Sequence, residues 1–185
     1  LDFIAEKLRG IPNLNYDQVK PNSFSVTVSF KGTGLDVDVV PILYYGDPDW
    51  RGDLISQDDG TRLMTSIPMH LDFSKKHKDA QPTHFAQVVR LVKYWARRHK
   101  QENSSFRFKS FMIEMILSHL CDRGISFSDY PEALAQFFNY VATTELREKI
   151  VFTDNYTAGE VDVSHERIQI ADPVNPKNNV GRLYT

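Results

Sequence analysis

Cysteine is nearly missing: Cys121 is the single one in 185 residues. One thiol excludes an internal disulfide and fits a reducing, cytoplasmic compartment. Long apolar runs are missing too. The richest, "FMIEMILSHL" at 111–120, is interrupted by Glu114 and His119, so no segment reaches the ~18 residues that cross a bilayer. No basic, apolar leader is seen. Residue 1 is Leu and the first turn carries Asp2 and Glu6, so neither a signal peptide nor a membrane partner is expected. There is no internal repeat and no low-complexity tract. An excess of either charge is also lacking. The net charge of −2 excludes bulk attraction to nucleic acid or anionic membrane. What is present, 41% hydrophobic and 25% charged residues, is ordinary for a globular protein with one sizeable core or two small subdomains.

The charges are unevenly placed. Residues 1–74 hold 6 Lys/Arg against 11 Asp/Glu, residues 75–109 hold 10 against 2, and residues 110–185 hold 6 against 11. An acidic region followed by a basic strip is the order expected if a polyphosphate and its metal lie between them. A solvated basic helix face is the alternative.

Periodicity organises the chain. "LDFIAEKLRG" has apolar residues at 1, 4, 5 and 8 and predicts a helix stopped by Gly10. "FSVTVSF" and "LDVDVVPIL" read as two strands joined through "KGTG", an antiparallel hairpin. Residues 46–64, rich in Gly and Asp, read as a mobile exposed loop. "TSIPMHLDFSKKHKDAQP" reads as irregular or a short helix. "THFAQVVRLVKYWARRHK" is a strongly amphipathic helix, with Phe85, Val88, Val89, Val92, Trp95 and Ala96 on one stripe. "KSFMIEMILSHLCDRG" predicts a buried helix ending at Gly124, and "SDYPEALAQFFNYVATTE" a helix with Pro131 in its first turn. A short strand, "ERIQIADP", precedes the loop "VNPKNNVG". Strand signals lie before residue 45 and helices after 80, which predicts an α+β chain: a sheet lobe at 1–75 and a helical lobe at 76–185.

Asp36 and Asp38 sit two apart in a strand and so share one face. They face solvent on an edge strand, or bind a divalent cation with their hard oxygens, or form an acid–base pair as in a glycosidase. The apolar neighbours Val37, Val39, Val40 and Ile42 predict a central strand, and the downstream basic strip favours the cation–phosphate reading.

"VDVVPIL", "TSIPMHLDFS", "VVRLVKYWARRH", "KSFMIEMIL" and "IADPVNPKNNVG" occur in one order. That series resembles the bacterial cGAS/DncV-like nucleotidyltransferases, the CD-NTases of CBASS antiphage defence. More broadly it is similar to the oligoadenylate synthetase and CCA-adding superfamily. The resemblance covers residues ~20 to 185. It implies a partial nucleotidyltransferase (polymerase-beta-like) sheet lobe packed on a helical lobe, and NTP substrates. It implies two Mg²⁺ or Mn²⁺ ions held by three acidic residues, and a cyclic or short linear oligonucleotide product. A regulatory protein or nucleic-acid activator is a further expected partner. By the same resemblance, Asp38 matches the third acidic metal ligand and is the catalytic candidate. Lys93 and Ser110 match residues that contact the donor triphosphate. Phe111 falls where relatives carry a base-stacking tyrosine, with core packing the alternative. Asp36 has no matching role, and Glu114, amid apolar residues, needs a partner such as a salt bridge. The family's Gly-Ser loop and first acidic pair, upstream of the third aspartate, are not found. The resemblance therefore implies a piece of a larger enzyme that does not catalyse alone. An RNA nucleotidyltransferase adding to a linear 3′ end, or a non-catalytic nucleotide- or partner-binding relative, are the other readings.

Overall fold

The computed structural model describes residues 1–163 and 166–182. The chain divides into two units, Leu1–Ile67 and Pro68–Thr185.

The first unit opens with helix α1 (Asp2–Arg9), a 3-10 turn (Tyr16–Gln18) and the strands β1 (Val19–Pro21), β2 (Val26–Phe30) and β3 (Leu35–Val39), an antiparallel sheet in the order β1-β2-β3. Alternation along β2 sends Val26 and Val28 to one face, where they meet Ala5 and Val19 in a small core closed by Ile4, Leu8 and Val39. Thr27 and Ser29 take the other face, paired across the ladder with Asp38 and Asp36. The hairpin is as predicted, but β3 is not central. Among the described residues it has β2 as its one neighbour, and Asp36, Val37 and Asp38 are all exposed. An edge position explains why two carboxylates are tolerated in a strand at little desolvation cost.

The stretch 46–64 is not simply a loop. It carries β5 (Gly52–Ile55) and leads into β6 (Arg62–Thr65), which with β4 (Leu43–Tyr44) make a second antiparallel sheet, β4-β5-β6. The strand period is hidden because Gly52 and Asp53 occupy β5 positions that usually hold β-branched residues. Gly52 is there for space. A Cβ on it would lie 2.6 Å from the Leu43 carbonyl oxygen and overlap the Ile42 side chain.

The second unit holds α2 (Ile67–Ala80), α3 (His84–Glu102), α4 (Ser110–Asp122) and α5 (Tyr130–Thr144). Helix α2 is longer than its sequence suggests. Pro68 is harmless in a first turn, and its two buried residues are Phe73 and His77. His77 Nδ1 lies 2.9 Å from the Phe73 carbonyl and Nε2 3.1 Å from Asp122, so it ties α2 to α4. The apolar stripe of α3 and nearly all sides of α4 meet in one core with Phe127, Phe137, Ile150 and Ile170. Asp129 caps α5 by accepting the Glu132 N–H at 3.0 Å. The strand expected in "ERIQIADP" shrinks to two isolated bridges, Ile150–Ile170 and Ala171–Asn179. Side chains replace the missing ladder. The buried Asp172 carboxylate accepts from the N–H of Val174 (2.8 Å) and Asn178 Nδ2 (2.9 Å), and lies 2.9 Å from His70 Nε2.

Candidate functional site

Lys93 and Ser110, 17 residues apart in sequence, line one cavity of ≈ 410 Å³. Helix α3 supplies Lys93, Arg97 and Lys100 at i, i+4 and i+7, a row along the flank of its buried stripe. The connection to α4 supplies Phe106 and Phe108, whose rings stack at 6.3 Å with Trp95 set edge-on against both. Lys109 and Ser110 then open α4. Lys109 stands at the N-cap and provides no side-chain cap. The first-turn N–H groups thus have no intrahelical acceptor and face the positive end of the helix dipole, an arrangement that favours an anion.

Four cations converge there. Among the described residues Arg97, Lys100 and Lys109 have no carboxylate partner. Among the described residues Lys109 Nζ has only the Val180 carbonyl, at 3.4 Å. Burial, with the Arg182 guanidinium adding to it, pushes its ammonium below the usual lysine range. Lys93 is bonded to the Glu114 carboxylate, so the acid expected to need a partner has one. Concentrated positive charge over a partly apolar wall suits a polyphosphate. A larger cavity, ≈ 560 Å³, lies in the first unit against Leu8, Val28, Phe30 and Val37. Its one cation, Lys31, is paired with Asp17 at 2.8 Å, so it lacks the charge a phosphate needs.

The other candidates lie apart from this cavity's lining. Phe111 is half-buried against the core and meets the edge of His70 at 5.5 Å. Asp38, in the first unit, accepts a hydrogen bond from the Thr27 hydroxyl. It offers one exposed carboxylate, with that of Asp36 two residues along the same face. Among the described residues no group of three or more His, Cys, Asp or Glu could hold a metal ion. The described residues therefore do not by themselves assemble a complete metal site. The sequence reading did not single out Arg97, Lys100 and Lys109. Their signal was available in the spacing from Lys93 and in the basic strip.

No protein-family model matches the chain. It is 64% identical to the cyclic AMP-AMP-AMP synthase of Escherichia coli strain MS 115-1, over 100% of this chain and 58% of that protein. The CBASS oligonucleotide cyclase CdnC of E. coli strain KTE188 is 33% identical, over 96% of this chain and 54% of its own length. The chain belongs to the CD-NTase family. Solved structures of E. coli MS115-1 CdnC, with ATP and in complex with HORMA-deltaN, match this CD-NTase chain with TM-scores of 0.88 and 0.87. The identities are 64% and 62%, covering 100% of this chain and 58% and 57% of those. The chain thus spans somewhat more than half the length of the relatives it matches. The α+β nucleotidyltransferase fold expected from the sequence is the one found.

Proposed function

We propose that the protein containing this CD-NTase chain joins NTPs, ATP first among them, into a cyclic oligonucleotide for CBASS antiphage signalling in the cytoplasm. We further propose that the cavity between α3 and α4 binds the triphosphate. The observation that carries this reading is the convergence of Lys93 and Ser110, with three acid-free cations, on the uncapped start of α4. The Lys93 ammonium and the Ser110 hydroxyl, with the backbone N–H groups behind it, meet charge that grows on the β- and γ-phosphates as pyrophosphate departs. Donors fixed in place before the reaction stabilise that charge without reorganising. Phe106 and Phe108 close one wall and limit the water that would weaken those bonds. Asp38 contributes one carboxylate toward a divalent cation, Mg²⁺ or Mn²⁺, whose positive charge supports phosphate transfer when bound. The identity with a cyclic AMP-AMP-AMP synthase supports ATP as substrate. The relative solved with HORMA-deltaN supports a regulatory protein partner. The full-length protein is incubated with all four NTPs and Mg²⁺ or Mn²⁺, and products are read by mass spectrometry. A cyclic adenylate is expected. Linear 3′ additions alone would favour an RNA-tailing activity instead, and no product at all a binding module.

A further inference from the structure

Lys93 does not meet the cavity as a free ammonium. Glu114 follows Ser110 by four residues and so lies on the same side of α4, about one turn, ~6 Å, along the axis. Its carboxylate bonds Lys93 Nζ across the α3–α4 contact, and the two side chains are 32% and 28% exposed. Residues around it on α4, Met112, Ile113, Met115, Ile116 and Leu117, are all buried. A carboxylate in such a run is costly unless paired, and here its partner is a cation of the cavity. Among the described residues Glu114 is the one carboxylate in an ion pair with any of the four cavity cations.

Three like charges explain what the pair does. Arg97, Lys100 and Lys109 line the same cavity without acid partners. Lysine's stem is flexible and loses considerable rotamer freedom when it is held in one place. Repelled by three neighbours and untethered, Lys93 would favour rotamers directed away from them into water. We infer that Glu114 is a positioning residue. It holds the Lys93 ammonium at the cavity wall against this repulsion and leaves its remaining N–H donors for a phosphate oxygen. The inference rests on reading the cavity as the triphosphate site.

The sign of one substitution separates this role from plain electrostatics. Removing a negative charge beside a polyanion strengthens binding if only the field matters. Freeing Lys93 weakens it. The test measures dissociation constants of a non-hydrolysable ATP analogue by calorimetry on the full-length protein and on K93A, E114Q, E114D and K93A/E114Q, with melting curves for each. We expect K93A to bind roughly tenfold more weakly. E114Q should bind about threefold more weakly or worse, and the double variant should match K93A within about twofold, because Glu114 acts through Lys93. E114D, which keeps the charge on a shorter arm, should fall between wild type and E114Q. It stands in for E114Q if that variant does not fold. Tighter or unchanged binding by E114Q, or an equal loss in the K93A background, overturns the positioning role while leaving the cavity reading intact. Unchanged binding by K93A overturns the cavity reading itself, and the positioning role with it.

Discussion

Asp38 keeps its carboxylate at the sheet surface with one hydroxyl, that of Thr27, bonded to it. Nothing in the fold depends on its charge, since the strand pairs through its backbone and the side chain is exposed. Asp38→Asn in the full-length protein is therefore expected to abolish product formation while leaving the melting temperature unchanged. The amide is nearly isosteric but lacks the charge that holds a divalent cation. Mass spectrometry of products and circular dichroism melting check the two halves. A near wild-type yield would remove Asp38 from the metal set. The basic strip allows a similar contrast. Lys93 lines the cavity, whereas Arg98 points elsewhere and lies 3.8 Å from Glu102, mostly exposed. Arg98→Ala is expected to leave ATP affinity within about twofold of wild type, against a roughly tenfold loss for Lys93→Ala. Equal losses at two salt concentrations would mean a diffuse basic field. At this scale, the sequence offered candidate residues but not which of them would meet. Lys93 and Glu114 were each recognisable, one by its helix and one by its isolation. Their bond depends on how α3 lies on α4, which no local spacing encodes.

Among elements, α3, α4 and α5 were legible because their apolar periods are strong and their stops are conventional: Gly124 at φ 82° after α4, Asp129 and Pro131 opening α5. The β5–β6 hairpin was obscured for a physical reason. Its residues are chosen for space and for polar contacts instead of alternation. Asp53 is buried, bonded by the Tyr45 hydroxyl and 3.7 Å from Arg62. Gly52 is forced by the neighbouring β4 backbone. Gly52→Ala is expected to destabilise the first unit by about 1–3 kcal/mol through overpacking, read as a lower urea midpoint. Helix α4 predicts a pH effect as well. His119 is half-buried against Tyr140, its Nε2 without a hydrogen bond among the described residues and 3.8 Å from Glu148. Burial pushes its pKa below the ordinary 6.5. Glu148 and Asp122 oppose this, and Arg123 adds to it. The folded state thus binds the proton less readily than the unfolded chain. The neutral histidine's contribution to stability is complete above about pH 6.5 and is lost as pH falls from there toward the folded pKa. His119→Phe should flatten the decline in the second unit's urea midpoint as pH falls below about 6.5. An unchanged slope would assign the decline to other groups.

Across the whole molecule, charge and architecture fall into register. The acidic segment 1–74 holds both sheets, and the basic strip 75–109 runs from the end of α2 through α3 and its connection to α4. Each unit has its own core, the first small and dominated by valines, the second large and mostly aliphatic with several phenylalanines. The α+β class was legible from strand signals clustered early and helices late. The C-terminal loop was not, because Asp172 and its partners build it from side-chain hydrogen bonds that leave no periodic trace.

The two tryptophans fall one to a unit. Trp50 stands 61% exposed on the turn between β4 and β5, stacked on Tyr44 at 5.0 Å. Trp95 is enclosed by Phe106, Phe108, Phe138 and His99. The molecule therefore carries two built-in optical reporters of opposite character. One emits from a wet site open to iodide and the other from a half-buried aromatic cluster beside the cavity between α3 and α4. A Trp50→Phe variant would leave emission from the helical unit alone, and a Trp95→Phe variant from the sheet unit alone. With such a pair, nucleotide binding and the unfolding of each unit could be followed separately, without any added label.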